Sequence, residues 1–374
     1  MQLVSLGSMN QNFQIFIDHI ERLQSKGDQY FPVGIFPAYR ENTGIGYRRP
    51  DTTIFFSAIS AFTLQSLRSR QEEAVQFQID KICERIVANY PDFQNKDGLR
   101  TYNFWKTKPS KHFPNGYIFK RYEHFRIPDD VDDTAFVYLT TNPTREELLW
   151  LKNKLVLHAN GYKQWIRNTY PEYRSLKAYS TWFGKNMYIE FDVSVLCNLM
   201  YCILKYQLPL NEHDEDSLAY ISSVIKSDRY RSVPFRCAHQ YPRTELIIYH
   251  VSRLLAAFNP EALSDIRAKL IEDTLEILQK TEKKMDRVIL SISLMRLGIK
   301  PNRIPVESFT KADFKGFYFF IAGLLTAYEN PILYKFSNSG LFHMHWVCEA
   351  HCWLLLFEYE TLWDSLTTQL PVHS

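Results

Sequence analysis

Pro128-Asp129-Asp130-Val131-Asp132-Asp133-Thr134-Ala135 puts four carboxylates into five residues, and an apolar run continues through Phe136-Val137-Tyr138-Leu139. Proline disfavours helix at the residue before it, and aspartate is a good helix N-cap. The stretch therefore reads as a helix start with the acids on its first turn. Like charges this close repel, and repulsion together with partial burial favours the protonated form of one member. A carboxylic acid kept protonated by its neighbours is a proton donor. The plainer alternative is a solvated acidic helix end.

Outward from this stretch, the chain reads as helix after helix. Phe13, Phe16, Ile17, Ile20 and Leu23 recur three and four apart, which predicts an amphipathic helix over residues 10–26. Residues 27–50 are rich in Gly, Pro and Tyr and read as irregular. Asp51-Thr52-Thr53 has the composition of a cap for a helix to about Leu67. Further helices are expected at 72–89, 132–140, 145–158, 189–206, 215–226, 242–257, 262–280 and 283–297. An apolar segment spans 314–327, and a last helix is expected at 340–360. Strongly apolar helices alternate with amphipathic ones, 189–206 with 215–226 and 242–257 with 262–280. The spacing predicts a single all-α domain over residues 1–374, with about ten to twelve helices and no alternating strands. Such alternation suits an inner helix ring with an outer ring packed on it.

The chain has 374 residues, a formal net charge of +3 and 45% hydrophobic content, so neither disorder nor nucleic-acid binding is expected. The residues from Met1 to Asn10 lack the basic start and apolar core of a signal peptide. No apolar run reaches the length of a membrane span. Six scattered cysteines fit free thiols in a reducing cytoplasm. Aromatic residues make up 15% of the chain, an excess that suits a cavity lined with ring faces, which attract cations.

Asp130-Val131-Asp132-Asp133 with Thr134-Ala135 after it resembles the Asp-x-Asp-Asp motif of class II terpene cyclases, which protonate an alkene. The resemblance implies a single α/α toroid with Asp132 as general acid and Asp130 and Asp133 tuning it. The length is similar to that of the single-domain meroterpenoid cyclases. The two-toroid triterpene cyclases carry repeated Gln-x5-Trp signatures, and no Gln here has a Trp six residues on. The substrate so implied is a prenyl chain, geranylgeranyl in length, on an aromatic dihydroxybenzoate-like head. It would be cyclised without metal or cofactor, with no protein partner indicated.

Candidates for lining the pocket are Tyr102, Phe104, Trp105, Tyr179, Trp182, Phe183, Tyr241, Phe317, Tyr318, Phe342, Trp346 and Trp353. Arg243 is the candidate for an anionic head. Any one of these aromatics also serves as ordinary core.

Other classes compete. Asp129-Asp130-x-x-Asp133 also spells the magnesium motif of class I terpene synthases, but the second metal-binding stretch of that family is not found. Lys108, Lys111, Lys120 and Arg121 are dispersed, which disfavours a class II diterpene diphosphate cyclase. On a helix, His345, Cys348 and Cys352 would share one face, as in a zinc toroid prenyltransferase, yet that family's Asp-x-Cys pair is missing. A carbohydrate-handling helical protein would also use paired acids. The apolar segment Gly316–Leu325 is expected as a buried wall, with a peripheral membrane anchor as its alternative.

Overall fold

The computed structural model describes residues 3–113, 118, 121–122, 126–184, 187–326 and 329–369. Lys120 and Ala327, both considered above, lie outside the described residues, as do Met1 and Gln2.

The protein is mostly helical. Eleven helices of ten residues or more are present among the described residues. They are α1 (Leu3–Leu23), α2 (Phe55–Leu67), α3 (Glu73–Val87), α4 (Val131–Thr140), α5 (Arg145–Val156), α6 (Val193–Lys205), α7 (Glu212–Lys226), α8 (Thr244–Phe258), α9 (Arg267–Lys280), α10 (Lys284–Arg296) and α11 (Glu349–Gln369). Six of them close on themselves. Helix α2 packs on α4, α4 on α6, α6 on α8, α8 on α10, α10 on α11, and α11 returns to α2. The others lie outside this succession, with α1 on α11, α3 on α2, α7 on α6 and α9 on α10.

The two sets differ as their environments require. Helix α2 buries nearly every side chain, from Phe55 to Leu64 without a break, and α8 buries every residue from Leu246 to Leu255. A helix packed on several sides has no face left for solvent. Helix α3 buries only the stripe Val75, Ile79, Ile82, Cys83 and Ile86, and exposes charge on its other face. Helix α7 starts at Asn211, whose side chain forms a capping box with Asp214.

The expectation of an all-α chain without strands is corrected by a small antiparallel sheet. Strands β1 (Tyr39–Asn42), β2 (Tyr47–Pro50), β3 (Phe320–Gly323) and β4 (His343–Val347) stand in the order β2-β1-β4-β3. Tyr39 pairs with Val347, and Phe320 with Trp346. The expected helix over 340–360 accordingly starts only at Glu349. His345 lies on β4, where its ring stacks on Tyr318 at 4.0 Å between centroids, so it does not share a helix face with Cys348 and Cys352. The Gly316–Leu325 segment is a wall, with Phe317, Phe319, Phe320 and Ile321 all buried. Among the described residues, no helix is long and apolar enough to cross a membrane.

Asp51 does not cap α2, whose N-cap is Ile54. Its Oδ2 instead accepts the indole N–H of both Trp105 and Trp346, each at 2.9 Å. One buried carboxylate thus ties the segment before the acidic turn to the strand β4.

Candidate active site

The acidic turn is held from both sides by backbone. The Asp130 N–H donates to the Tyr102 carbonyl at 3.1 Å, and the Val131 N–H donates to the Thr181 carbonyl at 2.9 Å. The Phe183 N–H reaches back to the Asp129 carbonyl at 2.9 Å. The segments 101–105 and 179–183 therefore clamp residues 129–131 before α4 begins. This is why aromatic residues distant in sequence converge on the acids.

The four aspartates have different tasks. Asp129 neither caps the helix nor faces water. It is buried, and its carboxylate accepts from Asn95, Thr101 and Asn103. Asp130 is the N-cap of α4, its Oδ1 accepting the Asp133 N–H at 2.7 Å. Asp132 Oδ1 accepts from Asn198 Nδ2 at 2.6 Å, and Asp132 Oδ2 accepts from the Tyr241 hydroxyl. Asp133 Oδ1 is buried with no hydrogen-bond partner.

Burial sets the protonation of this group. It pushes Asp132 up to about 6, against the Tyr241 and Asn198 hydrogen bonds and the Arg253 charge, which pull it down. Burial pushes Asp130 up to about 7, helped by the charges of Asp132 and Asp129 and opposed by hydrogen bonds from Asp133. Asp133 lies well above the carboxylate range, from burial first and the Asp130 charge second. Burial and mutual repulsion thus favour the protonated form at Asp130 and Asp133, while Asp132 has its own two donors.

Behind Asp132 lies a charged relay. Arg253 Nη2 donates to Asn198 Oδ1, and His250 Nδ1 stands 3.0 Å from the same oxygen. The Arg253 guanidinium is buried, has no carboxylate at hydrogen-bond distance among the described residues, and lies over the rings of Phe62, Phe136 and Tyr249. Asn198 passes this positive field on to Asp132 through its amide dipole.

Asp130, Asp132 and Asp133 all open onto a cavity of about 1150 Å³. Phe55 at the start of α2, Val195 in the first turn of α6, Tyr241 just before α8 and Trp346 just before α11 also line it. The cavity therefore sits at the N-terminal ends of α2, α4, α6, α8 and α11. Part of its wall is a cluster of aromatic rings. Phe320 stacks on Trp346 at 5.3 Å, and meets Phe55 edge-on at 4.6 Å and Phe104 edge-on at 5.5 Å. Lys96, Arg126 and Arg167 stand on its solvent side.

Of the expected pocket residues, Trp105, Trp182, Tyr241 and Trp346 line this cavity, as does Phe104. Six others do not. Tyr102 lies behind the acidic turn against Tyr90. Tyr179 is buried with its hydroxyl on Asn211 and Asp214. Phe183 packs edge-on against His158. Phe317 lies beside Arg243, and Phe342 precedes β4, its carbonyl accepting from the Leu324 N–H at 2.7 Å. Arg243 is engaged by Asp286 and Glu245 and donates to the Tyr318 carbonyl. Among the described residues, no three His, Cys, Asp or Glu side chains gather closely enough to hold a metal ion.

Asn198, Phe55, Phe320 and Tyr188 are lining or supporting residues absent from the expectations. Only Asn198 carried a usable signal, as a polar side chain inside the apolar run from Val193 to Ile203. The chain matches no family model, no curated protein and no solved structure.

Proposed function

We propose that this chain is a class II terpene cyclase in which Asp132 protonates the terminal alkene of a prenyl chain. The observation that carries the reading is a buried aspartic acid at the wall of a large aromatic cavity, held by two donors and backed by a buried arginine. The closed succession of six helices with others packed outside supports reading the fold as an α/α toroid.

An alkene is a very weak base, so the acid must be strong and dry. Burial keeps the proton on Asp132 in weakly acid solution. In the transfer, the Asp132 O–H bond breaks and a C–H bond forms, leaving a carboxylate and a tertiary carbocation. The Tyr241 hydroxyl, the Asn198 amide and Arg253 favour that carboxylate, so the donors that oppose holding the proton assist its release. Aromatic faces of the wall then stabilise the cation at about 0.5–2 kcal/mol each, more when desolvated. Ring closures follow, and loss of a proton ends the cascade.

The substrate class we propose is a geranylgeranyl-length chain on a carboxylated aromatic head. The head would lie toward Lys96, Arg126 and Arg167, which line the cavity, and not at Arg243, which does not. These cations also favour a second reading, a diterpene diphosphate cyclase, because clustered Lys and Arg bind phosphate well. Six buried free cysteines support a cytoplasmic setting. The test offers geranylgeranyl diphosphate and a geranylgeranylated dihydroxybenzoate side by side, with and without magnesium, to wild-type protein and Asp132→Asn. Cyclisation of the aromatic substrate by the wild type alone is expected. Cyclisation of the diphosphate only would move the assignment to the second reading, and equal turnover by Asp132→Asn would remove Asp132 from the chemistry.

A further inference from the structure

A second carboxylate lies behind the cavity, beside the Asp132 group yet separate from it. Glu190 is buried, and three cavity-lining side chains converge on it. Trp182 Nε1 donates to Glu190 Oε1 at 3.2 Å, Gln240 Nε2 donates to the same oxygen at 2.8 Å, and the Tyr188 hydroxyl donates to Oε2 at 3.2 Å. On the side away from the cavity, His239 Nδ1 lies 3.3 Å from Oε2, and His239 Nε2 meets the Tyr334 hydroxyl at 2.7 Å. Gln240 and Tyr241 are consecutive, so one short stretch serves both carboxylates: Tyr241 holds Asp132, and the Gln240 side chain holds Glu190.

This arrangement is more than core satisfaction requires. An indole or phenol at a cavity wall is satisfied by any backbone carbonyl. Here all three donors instead meet one carboxylate, with the imidazole behind it. The Glu190 carboxyl therefore meets the cavity through two aromatic rings, and the His239 imidazole lies on its far side. A ring that donates a hydrogen bond to a carboxylate gains electron density, and its face attracts cations more strongly. The Gln240 amide adds to this. Its Nε2 is directed at Glu190, which turns Oε1 the other way, and Oε1 is buried with no hydrogen-bond partner.

We propose that the wall formed by Trp182, Tyr188 and Gln240 is a binding seat for a lipophilic organic cation, with Glu190 as the residue that charges it. In a cyclase this seat would stabilise a later cation of the cascade, away from the starting acid. That role rests on the function proposed above, whereas the seat itself does not. Glu190 touches no ligand directly and is a positioning residue.

The probe is decyltrimethylammonium below its micelle concentration, with 1-decanol as uncharged control, titrated calorimetrically into full-length protein. Wild type is expected to prefer the ammonium. Glu190→Gln is expected to weaken ammonium binding on the order of tenfold, as removal of one charge across a ring at an effective dielectric of about 20 implies, while decanol binding stays within about twofold. Equal weakening of both ligands would mean a collapsed wall, and unchanged ammonium binding would mean that Glu190 is not felt in the cavity; either result overturns the proposal. Tyr188→Phe, which removes one donor and keeps the ring, is the second variant, with a smaller loss in the same direction. Retention of full ammonium affinity in Tyr188→Phe would likewise count against the seat if Glu190→Gln does not fold. Neither ligand reacts, so this outcome is independent of whether the chain cyclises a prenyl substrate.

Discussion

Replacing Asp132 by Asn removes a titrating group and leaves its shape. The ordinary carboxylate value is 3.8, and burial moves Asp132 to about 6. Between these values the folded protein holds a proton that the unfolded chain has released. Stability from this group therefore falls as pH rises through the window and levels off above it. The Asn variant does not titrate, so its melting temperature relative to wild type should climb with pH. Integrated from about pH 4.5 to about pH 8, the difference is about 2 kcal/mol. With about 2.1 cal/mol/K of unfolding entropy per residue over the 374 residues, this becomes about 2–3 °C. Removing the Asp132 charge also relieves Asp130 and Asp133, which it raises, so the neighbours act in the same direction. Any rearrangement of the Asn198 and Tyr241 hydrogen bonds shifts both ends of the pH range alike and drops out of the difference. The assay is differential scanning calorimetry of both proteins at the two pH values. A gap between variant and wild type that is constant with pH, or that narrows toward alkaline pH, would refute the buried-acid assignment.

If Asp132 must be protonated to act, the first-turnover cyclisation rate should decline as pH rises past about 6, where Asp132 gives up its proton, read in a single-turnover pH profile. Asp51→Ala strands the indole N–H of Trp105 and Trp346 and should cost about 2–4 kcal/mol, two unsatisfied donors at about 1–2 each, measured by urea unfolding. Lys152 and Asp214 form a buried ion pair, so Lys152→Met should cost about 3–5 kcal/mol and Lys152→Met with Asp214→Leu much less, in the same assay. Burial pushes the thiols of Cys83, Cys202 and Cys348 up to about 12, so a thiol reagent should label none of them until the protein unfolds.

The helices were legible because each carries several turns of apolar spacing, and Val131–Thr140 and Lys284–Arg296 start and end within a residue or two of expectation. The sheet was not. Its strands are four or five residues long, β2 is Tyr-Arg-Arg-Pro, and β3 is buried at Phe320, Ile321 and Gly323 alike, so neither offers a two-residue period. The burial and crowding of the acidic turn were legible because its members are neighbours in sequence as well as in space. The wall was legible only in part, since an aromatic side chain looks the same in sequence whether it faces a cavity, as Trp182 does, or the core, as Tyr179 does. Asp51 and Glu190 were hidden because the partners that define them arrive from elsewhere in the chain, 295 residues on for Trp346 and 50 residues on for Gln240.

The sheet has a consequence for the order in which the protein is made. Strand β1 can pair with β4 only after some 300 residues have intervened, and the ring closes only when α11 meets α2. A nascent chain emerging from the ribosome therefore carries its acidic turn long before the roof of Phe320 and Trp346 exists. Until then the cavity onto which Asp130, Asp132 and Asp133 open lacks that part of its wall. The cavity wall is completed only when β3 and β4 pair, and contacts spanning so much of the sequence are slow to form.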